Sequence, residues 1–171
     1  MKFAPYFICL AGTSLAAQSL PKIDPAWLKV DSAASKVEVT LVAGFSGANG
    51  GMNFNGASAG GLTLIVPAKW TVLLHFTNND QVLPHSVIVI PATTPVPVTV
   101  GAPAIPHAVT HHAAEGLSSD SHEDLQFVTD RPGSYLLFCA VPGHGAAGMW
   151  IHFDVSVTAH QPEFEATPKT Q

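Results

Sequence analysis

The stretch Tyr135–Val155, YLLFCAVPGHGAAGMWIHFDV, constrains this chain more than any other. It reads as a strand (Tyr135–Phe138), a tight loop (Cys139–Gly148) and a second strand (Met149–Val155). One short loop thus presents a thiol, an imidazole and, where it ends, a thioether: Cys139, His144 and Met149. Glycines at 143, 145 and 148 let the loop curl around a point, and Pro142 stiffens it. Thiolate and thioether are soft donors and imidazole is intermediate, a mixture that suits a copper ion moving between Cu(I) and Cu(II). Such a site needs a further imidazole from a distant part of the chain. His85, in Leu83-Pro84-His85-Ser86 ahead of the apolar run Val87–Ile90, is the best candidate. The fold must therefore carry a mid-chain residue to a hairpin near the C-terminus.

The rest of the sequence is compatible with that demand. Its 171 residues suit one domain with a core, and 47% apolar against 11% charged residues argues against global disorder. Glycine and proline are abundant, at 14 each, while helical periodicity is nearly absent. That balance predicts an all-β domain of short strands joined by turns. A net charge of −5 without a basic patch makes nucleic acid a poor guess as partner.

Lys36–Val42 alternates, with Val37, Val39 and Leu41 on one face and Glu38 and Thr40 on the other. Gly61–Val66 and Trp70–Thr77 read as strands joined by a hairpin-like turn at Pro67-Ala68-Lys69, with Val72, Leu74 and Phe76 inward and His75 outward. Asn78-Asn79-Asp80 is turn chemistry. His85–Ile90 and Leu125–Thr129 are further strands. Gly, Asn and Ser crowd residues 43–61, but no Lys-Ser/Thr ending or helix follows to make a phosphate cradle.

The expected organisation has four parts. Residues 1–17 read as an export signal, with Lys2 ahead of an apolar segment; an uncleaved anchor is the other reading, and either places the protein in the periplasm or elsewhere outside the cytoplasm. Residues 18–35 form an N-terminal extension with one helical turn after Asp24-Pro25. The domain spans 36–158, and a polar tail at 159–171 is expected to fray. Within the domain, residues 102–123 form a long loop with His107, His111, His112 and His122. It reads either as a solvated excursion or as a second metal site with Glu115 or Asp120. Removing residues 1–17 takes Cys9 with them and leaves Cys139 as the sole thiol in an oxidising compartment, where a metal bond explains its presence.

Other chemistries fit less well. A zinc finger needs paired cysteines. A cysteine hydrolase could use His144 as base, but nothing in the sequence builds an oxyanion hole, and Met149 would have no role.

Four segments carry a family resemblance: Met52-Asn53-Phe54-Asn55-Gly56, Val66-Pro67-Ala68-Lys69-Trp70, Leu83-Pro84-His85-Ser86, and Phe138-Cys139-Ala140-Val141-Pro142-Gly143-His144 with Ala147-Gly148-Met149-Trp150. Over about Trp27 to Val157 the chain resembles the cupredoxins, sulfocyanin most closely, with rusticyanin a near relative. The resemblance implies a Greek-key β-sandwich and one type 1 (blue) copper held by His85, Cys139, His144 and Met149. It implies a one-electron carrier rather than an enzyme, with redox partners such as a c-type cytochrome or a terminal oxidase. A monomer is the expected state, and membrane association through the N-terminus is compatible with it. Copper storage or delivery through the His-rich loop is the competing function. Two finer expectations concern the sulfur of Cys139. Backbone N–H groups of Ser86 and Val141 should point at it, whereas Pro142 has none to offer, and the Ser86 hydroxyl should reach the cysteine strand.

Overall fold

Period-two alternation places one apolar face on each strand, and two such faces close on each other. In the computed structural model, which describes residues 21–167, nine strands form two sheets. They are β1 (Leu28–Asp31), β2 (Lys36–Ala43), β3 (Leu62–Pro67), β4 (Thr71–Asn78), β5 (Ile88–Pro91), β6 (His122–Val128), β7 (Gly133–Phe138), β8 (Trp150–Ser156) and β9 (Glu163–Ala166). One sheet runs β1-β2-β4-β6 and the other β5-β7-β8-β3-β9. The pairs β2/β4 and β3/β8 are parallel; the remaining neighbours are antiparallel.

Val37, Val39, Leu41, Val72, Leu74 and Phe76 project from the first sheet and are fully buried, as their alternation predicts. Leu62, Leu64, Leu137, Ile151 and Phe153 meet them from the second. Each large apolar side chain so buried contributes about 1.5–3 kcal/mol relative to exposure. The outer face of the second sheet is covered as well. Ile88, Ile90, Leu136 and Phe138 form a separate apolar cluster packed with Val96, Val100, Val109 and Trp150.

Three local readings change. Pro67-Ala68-Lys69 does not close a hairpin, because β3 and β4 lie in different sheets. The turn is instead tied to both, by Ala68 N–H to the Ser156 carbonyl and Lys69 N–H to the Thr129 carbonyl, each 2.8 Å. A short turn between two inward-facing strands has the same local signature in either case. The tail does not fray throughout: β9 pairs with the edge of β3, and Phe164 buries its ring edge-on against Trp27. The N-terminal extension joins the sandwich too. Asp24 caps the expected turn at Pro25–Trp27, Trp27 is buried, and β1 pairs with β2.

The His-rich segment is long but not loose. Val109 bridges to Ile88 and Leu117 to His85, while Ile105, Ala108 and Thr110 are buried. Thr110 N–H donates to the Val87 carbonyl at 3.0 Å, so the segment lies along the chain that enters β5. The export-signal reading, Met1–Ala17, lies outside the described residues. Among the described residues no helix is long and apolar enough to cross a membrane.

Candidate metal centre

Antiparallel pairing of β5 with β7 sets Ile88 opposite Phe138 and so brings the residues just before β5 to the residues just after β7. Ser86 and Cys139 meet there. Ser86 Oγ accepts the Ala140 N–H at 3.0 Å and lies 3.8 Å from Cys139 Sγ. The hydroxyl therefore reaches the cysteine strand, as expected. His85 is fully buried, its backbone exchanging two hydrogen bonds with Leu117: His85 N–H to the Leu117 carbonyl at 3.1 Å and Leu117 N–H to the His85 carbonyl at 2.7 Å.

The loop between β7 and β8 is closed by its own backbone. Cys139 N–H donates to the Met149 carbonyl at 3.1 Å, and Met149 N–H to the His144 carbonyl at 2.9 Å. Two of the expected ligands are thus each bonded through the backbone to Met149, whose side chain is fully buried. Gly145 is required by packing: a Cβ there would overlap the Phe138 ring beneath the loop. The glycine-rich segment 44–61 holds the other side. Asn49 Nδ2 donates to the Ala147 carbonyl at 3.1 Å, and Ala59 N–H to the Gly148 carbonyl at 2.7 Å.

These elements bring three ligating atoms together. One donor each from His85, Cys139 and His144 lies within 4.8 Å of the others. His144 Nδ1 is 3.6 Å from Cys139 Sγ and 3.2 Å from His85 Nδ1. Such edges suit donors arrayed around one first-row metal, whose bonds to imidazole and thiolate run to about 2.0–2.3 Å. Burial lowers the pKa of both imidazoles, which favours their neutral, metal-binding form; for His85 a bond to Asp80 opposes the shift, and for His144 the neighbouring His85 adds to it. Burial raises the Cys139 pKa, opposed by N–H donors from Ser86 and Val141 and by the Ser86 hydroxyl. Both expected backbone donors are therefore in place. A cation in the triangle would complete what they begin, by stabilising the thiolate against burial.

The other histidines are dispersed. His107, His111, His112 and His122 are exposed, His111 Nδ1 is spent on Glu123 at 2.7 Å, and Asp120 accepts from Gln81 at 3.1 Å. Among the described residues no other group of three His, Cys, Asp or Glu donors lies within 4.8 Å. The second metal site in residues 102–123 is thus not assembled, because the segment is drawn along β5 with its histidines facing solvent.

Two residues that sequence reasoning passed over belong to the site. Asn78 is fully buried; its Nδ2 donates to the carbonyls of Leu83 and Leu117, both at 2.9 Å, on either side of His85. Asp80 Oδ2 lies 3.3 Å from His85 Nε2. Burial pushes the Asp80 pKa up, but hydrogen bonds from the Leu83 and Val82 N–H groups and from His85 outweigh it and leave the carboxyl below its ordinary value. The sequence signal was present, a carboxylate and an amide shortly before a candidate ligand, but it coincides with ordinary turn composition.

The sulfocyanin (SoxE) domain family matches residues 25–165. This chain belongs to the sulfocyanin family. Sulfocyanin of Sulfolobus acidocaldarius is 30% identical over 126 residues, which cover 67% of this chain; the chain spans 60% of the length of that relative. Among solved structures, the copper protein rusticyanin superposes with a TM-score of 0.52 at 25% identity, over 76% of this chain and 87% of its own. Auracyanin from Roseiflexus castenholzii shares the fold, with a TM-score of 0.51 at 19% identity, over 70% of this chain and 96% of its own. The sandwich is a cupredoxin sandwich. The family's cofactor is one type 1 copper, and the soft and imidazole donors converging here fit it.

Ser86 offers a test that needs no metal. Ser86→Ala strips the half-buried Ala140 N–H of its acceptor and should destabilise the apo protein by about 1 kcal/mol. Denaturant unfolding of the two apo proteins measures the difference.

Proposed function

We propose that the chain is a one-electron carrier whose single copper ion would be held by His85, Cys139, His144 and Met149. When bound, the ion supplies a couple between Cu(I) and Cu(II). The protein's part is to hold its donors in one arrangement for both states. His85 is pinned by Leu117 and Asp80, Cys139 by its strand, and His144 and Met149 by the closed loop backbone. Apolar neighbours exclude water, and the N–H donors on Cys139 draw charge from its sulfur; both effects favour the less charged, reduced state.

The observation that carries this reading is the exposure of the triangle through His144 alone. His85 and Cys139 are fully buried, whereas His144 is half-buried within a loop whose Pro142, Gly143, Ala146 and Ala147 are exposed and uncharged. A redox partner could dock on that apolar rim and exchange an electron through the imidazole edge. The partner class is a haem protein, such as a c-type cytochrome, or a terminal oxidase. The protein would act outside the cytoplasmic membrane, exported or tethered through residues 1–17, as a monomer.

Copper-loaded protein should show intense visible thiolate-to-Cu(II) absorption, a single EPR-active centre and reversible voltammetry. Met149→Gln should lower the potential, because an amide oxygen stabilises Cu(II) better than a thioether does. Absence of the visible band would refute the carrier, and an unchanged potential in the variant would refute ligation by Met149.

A further inference from the structure

Asp80 is built into the fold with unusual care for a loop residue. Its Oδ1 accepts two backbone N–H groups, Val82 at 2.8 Å and Leu83 at 3.0 Å, and its own N–H donates to Asn78 Oδ1 at 2.9 Å. That leaves Oδ2 aimed at His85 Nε2, 3.3 Å away, with the carboxylate 12% exposed and the imidazole not at all. Two glycines make room. A Cβ at Gly51 would overlap Asp80 Oδ2, and a Cβ at Gly44 would sit 2.7 Å from Asp80 N. Both glycines have positive φ, +89° and +70°. No lysine or arginine pairs with Asp80 among the described residues, so its charge is directed at His85.

We propose that Asp80 is a positioning residue that lowers the reduction potential of the centre through His85. The inference rests on the copper reading above. A carboxylate on Nε2 holds the imidazole in the tautomer whose Nδ1 lone pair faces His144 and Cys139, and it makes that nitrogen a stronger donor. Its negative charge, in a nearly dry setting, favours the doubly charged metal over the singly charged one. The burial that shields Cys139 acts in the opposite direction. The potential of this chain is then a balance, with Asp80 the term that holds it down.

The test compares wild type with Asp80→Asn and Asp80→Ser, both neutral and both able to accept the Val82 and Leu83 N–H bonds. Asp124→Asn, on the exposed face beside His75, controls for bulk charge. Cu(II) and Cu(I) affinities come from competition with chelators, and the potential from voltammetry. The neutral variants should lose about tenfold in Cu(II) affinity relative to Cu(I), which for a one-electron couple is a rise of about 59 mV. The control should not move.

An affinity ratio equal to wild type, or an equal fall in both affinities, would overturn the proposal and leave Asp80 a loop anchor. Failure of wild type to show the thiolate band would instead remove the copper reading itself. One readout needs no variant. In the Cu(I) protein the His85 Nε2 proton should be a downfield, slowly exchanging NMR resonance, and fast exchange would overturn the contact on which the proposal stands.

Discussion

Replacing Cys139 by serine is expected to abolish the visible charge-transfer band and the reversible redox couple while leaving the apo fold in place. Cys139 is the single thiol among the described residues and lies fully inside the core. A hydroxyl is not deprotonated at neutral pH, so the variant offers two imidazoles and a thioether with no anionic soft donor. Copper affinity should fall by well over tenfold. The cost to folding should sit near the low end of the range for burying a hydroxyl, about 1 kcal/mol, because the Ser86 and Val141 N–H groups that face the sulfur can serve the new oxygen. Absorption titration with Cu(II), and thermal unfolding of both apo proteins, read the two halves separately. A blue variant would mean that the thiolate is not a ligand.

The second large effect is expected at a residue that offers no ligand of its own. Asn78→Asp preserves shape but exchanges the two N–H donors that hold the Leu83 and Leu117 carbonyls for an acceptor. Three oxygens would then converge in a fully buried site: the new carboxylate oxygen, the Leu117 carbonyl, which keeps only the His85 N–H, and the Leu83 carbonyl, left unpaired at about 1–3 kcal/mol, with the cost of a buried charge added. We expect the apo protein to lose about 3–5 kcal/mol in denaturant unfolding. We also expect His85 to loosen, since Asn78 joins the chain entering it to the Leu117 segment that clamps its backbone. Copper binding by the folded fraction should therefore weaken as well. A loss below about 1 kcal/mol would show that water or a backbone shift replaces the amide.

Both results bear on what a reader of the sequence can see. The strands were legible wherever alternation ran long enough: Val37 to Leu41 and Val72 to Phe76 face the core as their period requires. The soft-donor loop was legible because three ligand types lie on one stretch between two strands. Ser86 and Val141 were legible as sulfur donors because adjacency to a ligand places their N–H groups. Asp80 and Asn78 were not, because the groups they serve are reached only after the chain has turned. Phe164 gave no periodic signal at all, since a strand as short as β9 has a single inward residue, and its meaning comes from the edge of β3 and the face of Trp27.

By itself, then, the order of residues determined the candidate donor set, the β character of the chain and the inward faces of its longer strands. These follow from spacing along a few residues, where side-chain direction is set by the backbone repeat. Only the tertiary structure decided which strands are neighbours, that the turn after β3 crosses from one sheet to the other, and that the His-rich segment clamps His85 instead of assembling a second site. Those outcomes depend on which apolar faces and unpaired edges find each other across the whole chain, and such competition leaves no trace in any local window.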